Sequence, residues 1–484
     1  MVLIPSKLPR HLMVLLVILL CFTQLPPVYS QSDAKTVVNP RFGAVESYYR
    51  PDDAVDAGIG WDRIIFEWRY LQPNGPDDWE TATWEPYIEA AKTGGREIVG
   101  LIKNAPFWAT GTKVLGAVPS GINLPLDDPN NQWATFIRKL TKYYSKIGIH
   151  HWIIYNEPDI RPKDLPDNFF EFEGDVTQYF KLVKTAYQVA HGNDGEAVIH
   201  LAGLNYWIDK GRRRPFYLRY LLQRAFGDAY CRQHDLCFDV LTVHVYGGLS
   251  LVTEVVNRYR GFLAEFGFEK KPMWINEMNM RPTLDPGWVY RGKVYQTEPD
   301  VTIEDQAAFI IQGIALAMNL GVDRIGIYRL YDNHYSYDDK IASSYEAWGL
   351  VRPNGTRRPG YYALQTAARL FRDVKSTKLT THRGITTVTM DAGDKTIYVV
   401  WNETVNEKMV AIPVVGPRTN TLIYADGTTV PLKAQSAVIG DIYEFKLPPC
   451  TDPCLVKGNP RIVVQPGSAQ TVYLSSAGKL AEIK

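Results

Sequence analysis

Between Arg41 and about Arg372, short and wholly apolar runs alternate with longer segments whose apolar residues recur at three-and-four spacing. The runs predict strands at Phe42 to Val45, Arg63 to Phe66, Ile98 to Ile102, Trp152 to Tyr155, Val198 to Ala202, Val240 to Val245, Met273 to Ile275 and Arg324 to Ile327. Trp133, Phe136, Ile137, Leu140 and Tyr144 form one intervening helical stripe; Tyr179, Leu182, Val183, Ala186 and Ala190 form another, and Tyr361 to Phe371 a last one. Strands that are apolar throughout, each followed by a helix, imply a parallel sheet covered on its outer face. Eight such units predict an α/β fold of the closed (β/α)8 TIM-barrel type, for which about 250 residues is typical and loop insertions are common. An open doubly wound sheet is the rival; its nucleotide-binding form would carry a Gly-rich turn after an early strand, and none is present.

After Lys375 the period changes. Thr386 to Met390, Thr396 to Trp401, Met409 to Pro413, Leu422 to Tyr424, Ile442 to Phe445 and Arg461 to Val464 read as short strands separated by turn signals such as Ala425-Asp-Gly427. The expected organisation is a barrel domain over residues 31–375 and a small all-β sandwich domain over 376–484. With no Pro/Ser/Thr-rich linker between them, the two are expected to pack rigidly, the sandwich stabilising the barrel.

Residues 1–30 have the order of a secretory signal: Lys7 and Arg10, an apolar run from Leu12 to Phe22, then Val28-Tyr29-Ser30 before the expected cut. That run is 11 residues long, short of the roughly 20 that cross a bilayer; an uncleaved signal anchor is the alternative, and no other stretch is apolar enough to span. The chain is therefore expected outside the cytoplasm. Lys+Arg 53 against Asp+Glu 52 gives a net charge of +1, which points away from nucleic acid and anionic membrane surfaces and towards a neutral ligand. In an exported chain, Cys231 with Cys237 and Cys450 with Cys454 read as two short-loop disulfides. A four-thiolate zinc site is the rival, although five residues separate the first pair and more than 200 separate the pairs. Asn354-Gly-Thr356 and Asn402-Glu-Thr404 fit glycosylation acceptors.

Barrel chemistry takes place at the C-terminal ends of the strands. The fourth strand runs into Asn156-Glu157-Pro158 and the seventh into Asn276-Glu277-Met278, so each ends on a carboxylate. An ionised Glu at the edge of a dry core needs a reason. One such Glu reads equally well as a capped or salt-bridged loop residue; two of them, both after Asn, favour a site. This arrangement resembles glycoside hydrolase clan A, most closely the group around families 5 and 39, often with a β-sandwich appended. Arg63 in Trp61-Asp-Arg-Ile-Ile-Phe-Glu-Trp68, Trp108 in Pro106-Phe-Trp-Ala109, His244-Val-Tyr246, and Trp348 to Ala363 fall in register with it, so the resemblance spans about residues 40 to 372.

The resemblance implies a retaining O-glycosyl hydrolase with a carbohydrate as its partner; no cofactor or metal is expected, since no other His/Cys cluster is dense enough to suggest one. Glu157 would be the acid/base and Glu277 the nucleophile, their carboxyls about 5–5.5 Å apart. Asn156 would bind a sugar 2-hydroxyl, and Tyr246 and Arg63 would hold Glu277 ionised. His244 reads as a site residue or a satisfied core histidine, and Trp108 and Trp348 as sugar platforms or as volume fillers. One departure is the stretch Tyr328-Arg-Leu-Tyr331-Asp-Asn-His334, where several of these families place a Trp; Tyr331 or Trp348 would take that role. The alternative class is a secreted carbohydrate-binding or envelope protein on the same barrel without turnover. Sugar identity, linkage, endo or exo action and oligomeric state are not encoded in any motif here.

Overall fold

The computed structural model describes residues 38–483 except 163, 166–169, 288–298, 333–346, 452–453 and 477–478. The expected export signal, residues 1–30, and Asn333 and His334 lie outside the described residues.

The eight apolar runs form β1 (Asn39–Val45), β2 (Ile59–Glu67), β3 (Glu97–Lys103), β4 (His151–Ile154), β5 (Val198–Leu201), β6 (Leu241–Tyr246), β7 (Met273–Asn279) and β8 (Arg324–Ile327). They pair in parallel in the order β5-β4-β3-β2-β1-β8-β7-β6. The last seam, between β5 and β6, is carried by a bridge at His200 and Val240 and by Leu201 N–H donating to the Val240 carbonyl at 3.0 Å. Alternation along the strands sorts the apolar residues into two cores. Trp61, Val99, Leu101, Ile153 and Trp274 fill the barrel interior, while Ile64, Ile102, Ile154, Val243 and Ile275 pack outwards against the helices. Glycine makes room where an indole crosses the interior: a Cβ on Gly43 would lie 2.2 Å from the Trp61 ring.

The helices follow the predicted stripes. Gln132–Tyr144 buries Trp133, Phe136, Ile137, Leu140 and Tyr144, and its Asn131 cap accepts from Ala134 N–H at 3.1 Å. Val176–Asn193 starts on an Asp175/Gln178 capping box. Ile303–Asn319, between β7 and β8, is apolar on nearly every side and buried from Gln306 to Met318. A helix buried all round needs a second layer, and the C-terminal domain supplies it: the Gly458 carbonyl accepts from Gln312 Nε2 at 2.9 Å.

That domain is one ten-stranded antiparallel sheet curled on itself, comprising β9 (Ser376–His382), β10 (Ile385–Asp391), β11 (Lys395–Asn402), β12 (Lys408–Pro413), β13 (Thr419–Tyr424), β14 (Thr429–Ala437), β15 (Gly440–Leu447), β16 (Arg461–Pro466), β17 (Tyr473–Ser476) and β18 (Lys479–Glu482). β14 makes the fold-over: Thr429 to Lys433 pair with β13, Ala434 to Ala437 with β15. Val400, Val410, Tyr443, Phe445 and Val463 fill the space between the halves. Four of these strands, β9, β14, β17 and β18, were not expected from the sequence. β9 and β14 are largely exposed and polar, so no apolar run marks them.

Cys231 is bonded to Cys237 and Cys450 to Cys454, which takes up all four thiolates of the zinc alternative. Beyond the second bridge, the Leu455 carbonyl accepts from Leu249 N–H at 2.9 Å and so braces the loop that leaves β6. Asn354 is exposed, whereas Asn402 is fully buried, with its amide donating to Asn406 O and accepting from Thr404. Only the first of the two glycosylation motifs is therefore open to an enzyme. No helix among the described residues is long and apolar enough to cross a membrane.

Candidate active site

Two local departures from regular strand geometry aim the two glutamates into the barrel mouth. At the end of β4 the backbone turns left-handed at Tyr155 (φ 62°) and again at Glu157 (φ 42°), a conformation that costs energy for side chains larger than glycine. Hydrogen bonds hold it: Tyr155 N–H donates to Ile102 O at 2.8 Å and Glu157 N–H to Gly203 O at 3.2 Å. In β7 the pairing with β6 skips Asn276, with Val243 opposite Ile275 and His244 opposite Glu277. This is a β-bulge, and such extra residues re-aim side chains beside functional sites. Trp274 points inwards and Ile275 outwards, so unbroken alternation would have turned Glu277 outwards into the helix layer.

Glu157 and Glu277 meet at His244. Its Nδ1 lies 2.6 Å from Glu157 Oε1 and 3.5 Å from Glu277 Oε2, and one oxygen of each carboxylate and a ring nitrogen of His244 all lie within 4.8 Å of one another. Arg63 from β2 forms an ion pair with Glu277 Oε1, and the Tyr246 hydroxyl donates to Oε2. Burial on its own would raise the Glu277 carboxyl; Arg63, His244 and the Tyr246 hydroxyl outweigh it and hold the group below its ordinary value. Burial pushes the Tyr246 phenol upwards, and the Glu277 charge raises it further. Glu277 is thus held as an anion, and Tyr246 as a neutral donor.

Gly203, after β5, makes the space that His244 occupies, since a Cβ there would stand 2.0 Å from the imidazole Cδ2. Gly203→Ala is expected to push the ring off Glu157 and break the 2.6 Å bond. Histidine ¹⁵N NMR of the variant checks this, and an unchanged His244 signal would refute the packing argument.

The remaining predicted residues fall into two groups. Trp348 lies beside the pair, edge-on to Tyr246 at 5.0 Å between ring centroids, and its carbonyl accepts from Asn279 Nδ2 at 2.7 Å. Its segment is fixed by fully buried Arg358, bonded to Asp285 at 2.7 Å and to Asp332. Asn156 Oδ1 is buried without a partner among the described residues, as a group waiting for a hydroxyl would be. Trp108 and Tyr331, by contrast, are engaged elsewhere. The Trp108 indole donates to Gln72 O at 2.7 Å and packs edge-on to Trp68; Tyr331 lies under Arg50 and donates to Pro353 O.

Sequence reasoning passed over Tyr328. It follows β8 and packs edge-on to both Tyr246 and Trp348, at 5.9 and 6.0 Å, so the aromatic ending the eighth strand is a tyrosine three residues before the one proposed. Asn276, the bulge residue, is fully buried with neither amide atom partnered among the described residues.

Glu157, His244 and Glu277 also have the compactness of three metal ligands. The atoms concerned already serve the Arg63 ion pair and the His244–Glu157 hydrogen bond, and a cation would have to enter beside a guanidinium. The donor set fits a proton-sharing carboxyl pair better.

No family model matches the sequence, and no curated protein matches it. The fold does match solved structures. A family 39 glycoside hydrolase from Bacteroides cellulosilyticus aligns over 88% of this chain and 81% of its own, at 14% identity and a TM-score of 0.64. A family 30 endoxylanase from Clostridium papyrosolvens aligns over 90% and 98%, at 13% identity and a TM-score of 0.56. A family 39 enzyme from Xanthomonas axonopodis pv. citri aligns over 90% and 96%, at 12% identity and a TM-score of 0.55. The chain shares with these structures a (β/α)8 barrel followed by a C-terminal β domain.

Proposed function

We propose that the protein is an exported retaining glycoside hydrolase acting on an oligo- or polysaccharide by double displacement. The observation that carries this reading is the pair of carboxylates from β4 and β7, with oxygens within 4.8 Å of each other. Retaining enzymes hold their carboxyls about 5–5.5 Å apart, whereas inverting enzymes need roughly 6.5–9.5 Å to seat a water.

Glu277, kept anionic by Arg63 and Tyr246, attacks the anomeric carbon as the C1–O bond breaks, and Glu157 gives its proton to the departing oxygen. A covalent glycosyl ester on Glu277 and a free alcohol result. Glu157, now a carboxylate, takes a proton from water; the hydroxide attacks C1 from the face the leaving group left and expels Glu277. His244, at hydrogen-bond distance from Glu157, holds that carboxyl in place through both steps. Asn156 is available for the 2-hydroxyl, whose contact strengthens as positive charge develops on the ring. The rings of Tyr328 and Trp348 offer the glycone a floor. A noncatalytic binder would gain nothing from a second carboxylate close enough to repel the first.

Proton NMR of hydrolysis across a panel of aryl glycosides tests this. The first anomer released is expected to have the substrate's configuration, with mutarotation following later. Initial release of the opposite anomer would overturn the double displacement.

A further inference from the structure

A second ion pair stands in the barrel mouth, and nothing in the mechanism above uses it. Lys103 closes β3, whose inward face carries Val99 and Leu101; alternation puts Lys103 on that same face, one layer above, opposite Glu67 of β2. Its Nζ donates to both oxygens of Glu171, at 2.7 and 3.0 Å. Glu171 arrives from the loop after β4, 68 positions away in sequence. That loop is seated on the long loop after β3: Glu173 N–H donates to Gly116 O at 3.0 Å, and Gly116, with φ at 79°, leaves no room for a Cβ against Glu171 O. The two side chains are only 16% and 12% exposed, so water screens their charges poorly.

Glu171 thus joins Glu157 and Glu277 in the mouth and feels the charge of both. Glu277 is faced by Arg63 from β2 and by His244 and Tyr246 from β6; Glu157 is faced by His244 and has Asp159 two residues along; Glu171 is faced by Lys103. Burial raises the Glu171 carboxyl, Lys103 opposes it, and the charges of Glu157 and Glu277 raise it further. That coupling is reciprocal, so the charge state of Glu171 acts back on the other two.

We propose, on the double-displacement reading, that Lys103 and Glu171 are positioning residues that act through the two reacting carboxyls. Lys103 cancels the charge of a third carboxylate that would otherwise lie unbalanced in the same low-dielectric mouth. The cancellation lets Glu171 join the β3 and β4 loops into a wall of the cleft without disturbing the proton count of Glu157 and Glu277.

The test uses the whole protein carrying Glu171→Gln, Lys103→Met or both. Glu171→Gln leaves the lysine charge unopposed, and both limbs of the kcat/KM pH profile are expected to move to lower pH by about half a unit to one unit. Lys103→Met is expected to move both limbs upwards, and the double variant to return them to their wild-type positions. Because the two single displacements have opposite sign, either single variant suffices if the other fails to fold. A parallel readout needs no turnover: the ¹³C carboxyl titration of Glu277, identified by its absence in Glu277→Gln, should follow the same directions. Fixed limbs and a fixed titration, or a double variant more impaired than either single one, would overturn the proposal and mark the pair as a structural tie. Displaced titration in a protein that hydrolyses no glycoside would support the pair's role and sink the glycosidase reading. Hydrolysis with an unmoved titration would sink the pair's role alone.

Discussion

Glu277→Gly is expected to lose roughly 10⁴-fold or more of its kcat on an activated aryl glycoside. The variant should still fold, but with a lowered Tm, because removing one partner of a buried ion pair leaves Arg63 without its counter-charge. Azide fits the space and the charge that the side chain vacates. It should raise the Tm and restore part of the turnover by attacking C1 once from the Glu277 side. A single displacement inverts, so the glycosyl azide formed should have the anomeric configuration opposite to that of the substrate. Full activity without azide would show that Glu277 is not the nucleophile.

Glu157→Ala should behave differently on the two kinds of leaving group. A nitrophenolate departs with little protonation, so formation of the glycosyl ester should be slowed little and its hydrolysis slowed more. A sugar leaving group needs the proton, and its loss should reach about 10²–10⁴-fold, the usual contribution of a general acid. Azide attacks the accumulated ester in this variant, a second displacement, so its product should keep the substrate's configuration. Steady-state rates on matched aryl and natural linkages, with NMR of the azide adduct, check both points. Equal losses on the two substrates would count against an acid role for Glu157.

The barrel and its two glutamates were legible in the sequence because their main signals are local. Eight apolar runs mark eight strands, and Glu157 and Glu277 stand out because a carboxylate directly after such a run is costly without a task. What escaped depends on contacts between distant segments or on one-residue changes of geometry. Nothing in Trp274-Ile-Asn-Glu277 reveals that Asn276 bulges out of register, although that slip is what turns Glu277 inwards. Tyr328 was passed over for Tyr331, since both follow β8 and only the chain's path after Ile327 decides which ring reaches Tyr246. Lys103 and Glu171 are too far apart in sequence to signal each other. Asn402 satisfies a glycosylation pattern but is spent on its own turn. In the β domain, β9 and β14 carry too few buried positions to show a period.

The glycosyl ester expected on Glu277 is open to direct observation. An activated 2-deoxy-2-fluoro aryl glycoside of the sugar that proves to be the substrate should form the glycosyl ester quickly and release it slowly, because the fluorine destabilises the oxocarbenium-like transition state of both steps while the leaving group speeds only the first. Intact-mass analysis should then show one added glycosyl unit, and peptide mapping should place it on Glu277. Stoichiometric labelling of a different residue, or steady turnover by an inverting route with no adduct, would contradict the account.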